Sequence, residues 1–133
     1  VVELLTQEKL VMVTTAEDGG RGSPDDYVHV DWGASFQASL QAAFPEIVSP
    51  GVLVSHGPLA LLYLTRVGGT GYFRRSVVQP HIDARRLRRV ADAPEFSYSL
   101  HMIYSSRAES GLIDRMRRGF RSSAAAAGET LRP

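Results

Sequence analysis

Chemistry in this chain would first be sought at four histidines and a run of glycines. His29, His56, His81 and His101 include no pair two, three or four residues apart, so the sequence carries no local metal-ligand signature. His29 and His101 fall in strand-like segments and are expected to point outward. His56 differs, because "VSHGP" places it where a strand meets a helix start. Such a junction carries unpaired backbone N–H groups that suit a polar or anionic ligand. Ser55 in the same stretch suits a helix cap equally well, so cap and ligand contact both stand.

The glycines of "RVGGTGYF" (66–73) do not form a phosphate cradle. A dinucleotide fingerprint runs strand, G-x-G-x-x-G, helix, whereas Gly68, Gly69 and Gly71 follow a helix and precede a strand. They read as a helix stop, with Gly71 allowing close strand packing. No G-x-S-x-G elbow is present, and the chain has no cysteine, which excludes disulfides and a thiol nucleophile within it. Asp31 is read as a surface or capping acid in preference to a catalytic base. Trp32, the single tryptophan, has two readings, core or the wall of a pocket. The run "DARRLRRV" puts four arginines in five residues without aromatics or a groove-reading helix, and reads as a solvated face.

These residues need elements to position them. "KLVMVTT" (9–15) and "DYVHVDW" (26–32) read as strands, the second with one apolar face. "GASFQASLQAAF" (33–44) has helical spacing. "GVLVS" (51–55) is a strand, "HGPLALLYLTRVGG" (56–69) a helix, and "TGYF" (70–73) a strand. Residues 74–86 allow a helix turn that Pro80 breaks, 86–94 suggest a strand, and 98–106 a last strand. Residues 110–120 form an amphipathic helix, and 122–133 a flexible tail. Alternating strands and helices predict an α/β domain with a mostly parallel sheet.

Composition fits one soluble domain: 133 residues, 44% apolar, net charge +1. A pI near 8.3 is too mild to argue for nucleic acid. Of the 15 basic residues only Lys9 is lysine. The N-terminus has no signal-peptide pattern and no initiator Met, so the chain reads as a fragment or a processed product, and a cytoplasmic location is expected.

The order of "LVMVTT", "VDWGASFQASLQAAFP", "VSHGPLALLYLTRVGGTGYF", "VVQPHIDARRLRRVADAPEF" and "LHMIYSS" resembles the effector-binding domain of LysR-type transcriptional regulators over about residues 4–121. Two departures stand out: Arg74 replaces the usual Pro, and Ala84 or Arg85 the usual Gly. The resemblance implies a type 2 periplasmic-binding-protein-like fold, in which two α/β subdomains are joined by crossing strands. Residues 1–121 would be a partial effector-binding domain, with 9–15 and 98–106 as crossing strands and about 16–96 as the second subdomain. Most of the first subdomain and the DNA-reading helix-turn-helix would lie outside the chain.

The implied function is effector sensing without catalysis, cofactor, metal or membrane. A small polar molecule would bind in the cleft, DNA would be contacted only through the helix-turn-helix, and self-association is expected. The implied ligand-binding residues are Trp32, Gly33, Ser35, Ser55, His56, Gly57, Thr70, Gly71 and Tyr72, with Tyr72 also readable as core. The rival readings are a solute-binding protein of the same fold, a small α/β enzyme using Asp31, His29 or His56, and a remnant that mediates protein contact only.

Overall fold

The computed structural model describes residues 1–47 and 50–129. Its organising element is one long strand, β1 (Val2–Thr14). The mainly apolar run near its C-terminal end, Leu10 to Thr14, is buried on both faces. The stretch before it alternates between exposed and half-buried positions, the period-2 pattern of a strand covered on one side. β2 (Val28–Val30), α1 (Ala34–Ala43), β3 (Val52–Val54) and α2 (Gly57–Val67) follow. After them come β4 (Thr70–Arg74), α3 (Arg75–Asp83), β5 (Arg88–Arg89), β6 (Phe96–Ile103) and α4 (Ser110–Glu129).

β1 is antiparallel to three strands, which corrects the expectation of a mostly parallel sheet. Its C-terminal part pairs with β4, from Leu10↔Arg74 to Thr14↔Thr70. On its other edge it meets β5 at Val13 and Thr14, and β6 from Val2↔Ile103 to Leu10↔Phe96. Among the described residues, parallel pairing is confined to β2 with β3, and to a Tyr27↔Thr70 bridge that lays β2 beside β4. The reason is the path of β1, which enters the α/β unit against the direction of the strands that helices connect.

Alternation along the strands divides the core in two. Val11, Val13, Val28, Val30 and Phe73 pack beneath α2 and α3, against Leu61, Leu64 and Val78. Leu10, Met12, Tyr27 and Tyr72 face α1, against Phe36, Leu40 and Phe44. β2 is therefore covered on both sides. His29, expected to point outward, is only 6% exposed and stacks on the Phe36 ring.

The glycines act as helix stop and strand start. Gly68 caps α2 through its N–H to the Leu64 carbonyl. Gly69 has φ +134°, and a Cβ there would stand 2.6 Å from the Asp26 carbonyl oxygen. At Gly71 a Cβ would stand 2.9 Å from the Val28 oxygen, which is how closely β4 approaches β2.

Pro80 does not break α3 but sits inside it. Only the Ser76 carbonyl loses its i+4 donor there, and fully buried Val78 holds the helix to the core. After α3, Arg85 adopts φ +60°, a left-handed conformation at the segment where the resembled domains commonly carry glycine. The strand expected at 86–94 shortens to Arg88–Arg89.

β6 returns along β1 as a two-stranded ribbon, and α4 docks on one face of it. Glu3 is the anchor: its carboxylate accepts from Tyr104 Oη at 2.7 Å, Arg117 Nε at 3.1 Å and an Arg121 guanidinium nitrogen at 3.0 Å. These donors hold the Glu3 carboxyl below its ordinary value, the Tyr104 hydroxyl foremost. α4 continues to Glu129, beyond the expected end at residue 120, because the alanines after Ser123 are strong helix formers. Residues 130–133 of the expected flexible tail lie outside the described residues.

Candidate functional site

The register decides which expected residues can meet. β2, β3 and β4 run in one direction, with Tyr27 level with Thr70 and Val28 level with Val52. Their C-terminal ends therefore emerge together, as Asp31–Gly33, Ser55–Gly57 and Arg74–Ser76. Trp32, Gly33, Ser35, Ser55, His56 and Gly57 all belong to this end of the sheet.

Trp32 links two of these strand ends to the third. Its indole Nε1 donates to the Tyr72 carbonyl at 2.9 Å. The ring meets Tyr98 of β6 edge-on at 5.2 Å between centroids. It also lies so close to Gly57 that a Cβ there would stand 3.2 Å from Cη2. Trp32 is thus half-buried, both core and wall. The single tryptophan reports directly on this end of the sheet.

Two helices begin here, and no side chain caps either. Gly33 is the N-cap of α1 with φ +100°, a conformation that glycine adopts without strain. His56, not Ser55, is the N-cap of α2, and its imidazole makes no capping bond. Ser35, Ser55 and His56 are exposed, so their polar groups remain available beside the first-turn N–H groups. Asp31 accepts from the Gly33 N–H at 2.9 Å and holds the turn. Beside it opens a groove of about 430 Å³ lined by His29, Asp31, Gly33, Ala34, Gln37, Pro50 and Leu53.

Thr70 and Gly71 do not join this group. They stand at the opposite, N-terminal end of β4, where the Thr70 hydroxyl donates to the Arg21 carbonyl at 3.0 Å. Thr70 there lines a separate cavity of about 380 Å³ with Thr14, Thr15, Asp25, Asp26 and Tyr63. Tyr72 contributes only its carbonyl to the strand-end group. Its side chain is buried core, with the hydroxyl donating to the Pro94 carbonyl at 2.8 Å. The separation of Thr70 and Gly71 from the strand-end group is not visible in "TGYF", which gives no sign of which end of β4 lies beside Trp32. Arg74 and Ser76, which the residue pattern alone does not single out, stand at the outward end. The signal was present in Arg74 itself, a charged residue where the resembled domains have Pro.

His29 borders the groove from inside. Burial is the main influence on its imidazole and holds it below the ordinary value of 6.5, while Asp31 and Gln37 act in the opposite direction. The unfolded chain then binds a proton that the folded chain does not, so stability falls as pH drops below about 6.5. Melting midpoints are expected to be lower at about pH 5.5 than at about pH 7.5, and less so in His29→Phe. An equal drop in that variant would clear His29 of the effect.

Among the described residues no group of three or more His, Asp or Glu could hold a metal ion. No helix among them is long and apolar enough to cross a membrane.

No protein-family model matches the chain, and no curated protein matches it in sequence. Solved structures do match in fold. The regulatory domain of HypT from Salmonella typhimurium superposes with TM-score 0.71 at 13% identity, over 95% of this chain and 66% of that one. The effector domain of AmpR from Pseudomonas aeruginosa gives 0.66 at 17%, over 98% and 68%. Full-length LysG from Corynebacterium glutamicum, solved with bound effector Arg, gives 0.63 at 18%, over 100% and 48%. The chain has the fold of a LysR-type regulatory domain. It spans about two thirds of the HypT and AmpR domains and about half of full-length LysG. The LysR-type fold is the periplasmic-binding-protein-like one that the sequence order implied.

Proposed function

We propose that the chain is the effector-sensing part of a LysR-type transcriptional regulator, acting in the cytoplasm and without catalysis. A small polar effector would bind at the strand ends, in a cleft completed by a first subdomain beyond this chain. DNA would be contacted through a helix-turn-helix, also outside it. The observation that carries this reading is the meeting of two helix starts without side-chain caps beneath Trp32, in a LysR-type fold. Unpaired N–H groups and small hydroxyls at one place suit a polar ligand with an acceptor group. LysG, solved with an amino-acid effector, is in keeping with a ligand of this size.

The ribbon of β1 and β6 supports the same view of architecture. Its outer face carries exposed Val2, Leu4 and Ile103, which a first subdomain would cover. Signalling would be a population shift: effector binds one arrangement of the two subdomains more tightly and biases the oligomer toward it.

Trp32 emission provides the test. The protein is titrated with amino acids, carboxylates and sugars, and each hit is repeated with Ser55→Ala and His56→Ala. Either substitution is expected to weaken binding about fivefold, the effect of one hydrogen bond near 1 kcal/mol, with melting unchanged. Unchanged affinity in both would remove these residues from the site. Turnover of a hit that is abolished by His56→Ala would favour an enzyme instead.

A further inference from the structure

The C-terminal end of β4 carries a charged cluster that the reading above does not use. Glu8 of β1 projects two residues before Leu10, whose partner across the sheet is Arg74. Its side chain is only 7% exposed. Arg74 donates to it through Nε and a terminal guanidinium nitrogen, and the Ser76 hydroxyl donates to its other oxygen. An arginine fork with a serine hydroxyl beside it matches the shape and lone pairs of a carboxylate. Arg74 and Ser76 lie at the same end of the sheet as Asp31–Gly33 and Ser55–Gly57.

We propose that Arg74 and Ser76 form a carboxylate receptor at the strand-end site, occupied in this structure by Glu8, and that an acidic effector takes the place of Glu8. The proposal rests on the strand ends being the effector site and adds the chemical class of the ligand. Exchange is local. The backbone of Glu8 pairs with Tyr98 of β6, and β4 begins its pairing only at Leu10, so the side chain can leave without loss of a sheet hydrogen bond. Release of Glu8 also removes the side-chain tie between β1 and Arg74 at the junction between the fully buried segment of β1 and the ribbon. Ligand chemistry is thereby coupled to the strand that crosses between subdomains.

Succinate is the probe, with neutral succinamide as control, against the 133-residue chain. Removing the internal competitor in Glu8→Gln is expected to tighten succinate binding at least about tenfold, a difference of 1.4 kcal/mol. Binding of succinamide stays the same, and Glu8→Gln combined with Arg74→Gln loses the gain. Equal succinate affinity in parent and Glu8→Gln, or a gain that survives loss of Arg74, overturns the proposal. Should Glu8→Gln fail to fold, saturating succinate on the parent chain decides. The NMR signals of Arg74 Nε–H and the Glu8 carboxylate must then both move, and if they stay in place the receptor is excluded. Moving Arg74 signals that ignore Ser55→Ala and His56→Ala would leave the receptor standing and remove the wider site. Binding that depends on Ser55 with silent Arg74 signals would do the reverse.

Discussion

Phe73→Ala is expected to destabilise the domain by about 3–5 kcal/mol, a large fraction of its total stability. Phe73 is 1% exposed and lies in the centre of the sheet, opposite Val11 and beneath Leu61, Leu64 and Val78. Its removal leaves a cavity that α2 and α3 cannot both close over. A domain of this size has about 5–15 kcal/mol in total, so the variant stands near its unfolding threshold. Tyr72→Phe is the control on the other face. It loses only the hydroxyl bond to Pro94, about 0.5–1.5 kcal/mol. Urea titrations of both variants test the two-faced core directly. A loss under about 1 kcal/mol for Phe73→Ala would mean that the α2 face is not packed as described.

Self-association of the chain is the second large effect. α4 covers the ribbon face that carries Glu3 and Met102, and the alternate residues Val2, Leu4 and Ile103 remain uncovered. Ile103 is 76% exposed, and Leu112, Met116 and Phe120 of α4 add further apolar surface. Burying an aliphatic side chain of this size yields about 1.5–3 kcal/mol. Light scattering of concentrated protein is expected to give a mass above that of one chain. Val2→Lys with Ile103→Lys is expected to weaken association by about 3 kcal/mol or more, over a hundredfold. A monomer at every concentration would contradict the assignment of this face as one that a neighbour covers.

Much of the architecture was legible in local patterns. α1 and α2 were readable because Phe36, Leu40 and Phe44, or Ala60, Leu61 and Leu64, recur at helical spacing between clear stops. The order of elements resembled LysR-type domains, and the solved regulatory domains share their fold with this chain at identities of only 13–18%. Strand direction was not legible. Alternating helices and strands imply parallel pairing, but β1 has no helix leading into it within the chain, and only contact with β4 and β6 fixes its sense. The burial of His29 was hidden for a similar reason. A polar residue between valines reads as an outward position until α1 is known to lie over that face.

Residue types and spacing by themselves determined the helix stop at Gly68–Gly69, the lack of thiol chemistry, and the strand-to-helix junctions at "VDWG" and "VSHGP". These are local matters, governed by backbone propensity and by which polar groups a short segment leaves unpaired. Tertiary structure alone decided which junctions share one end of the sheet. The parallel register of β2, β3 and β4 brought Trp32, Ser55 and Arg74 to the same side and sent Thr70 to the other. The antiparallel pairing of β1 with β4 carried Glu8, 66 residues before Arg74, onto that arginine. Register is set by long-range pairing and by packing beneath two helices, and no short stretch of the chain contains that information.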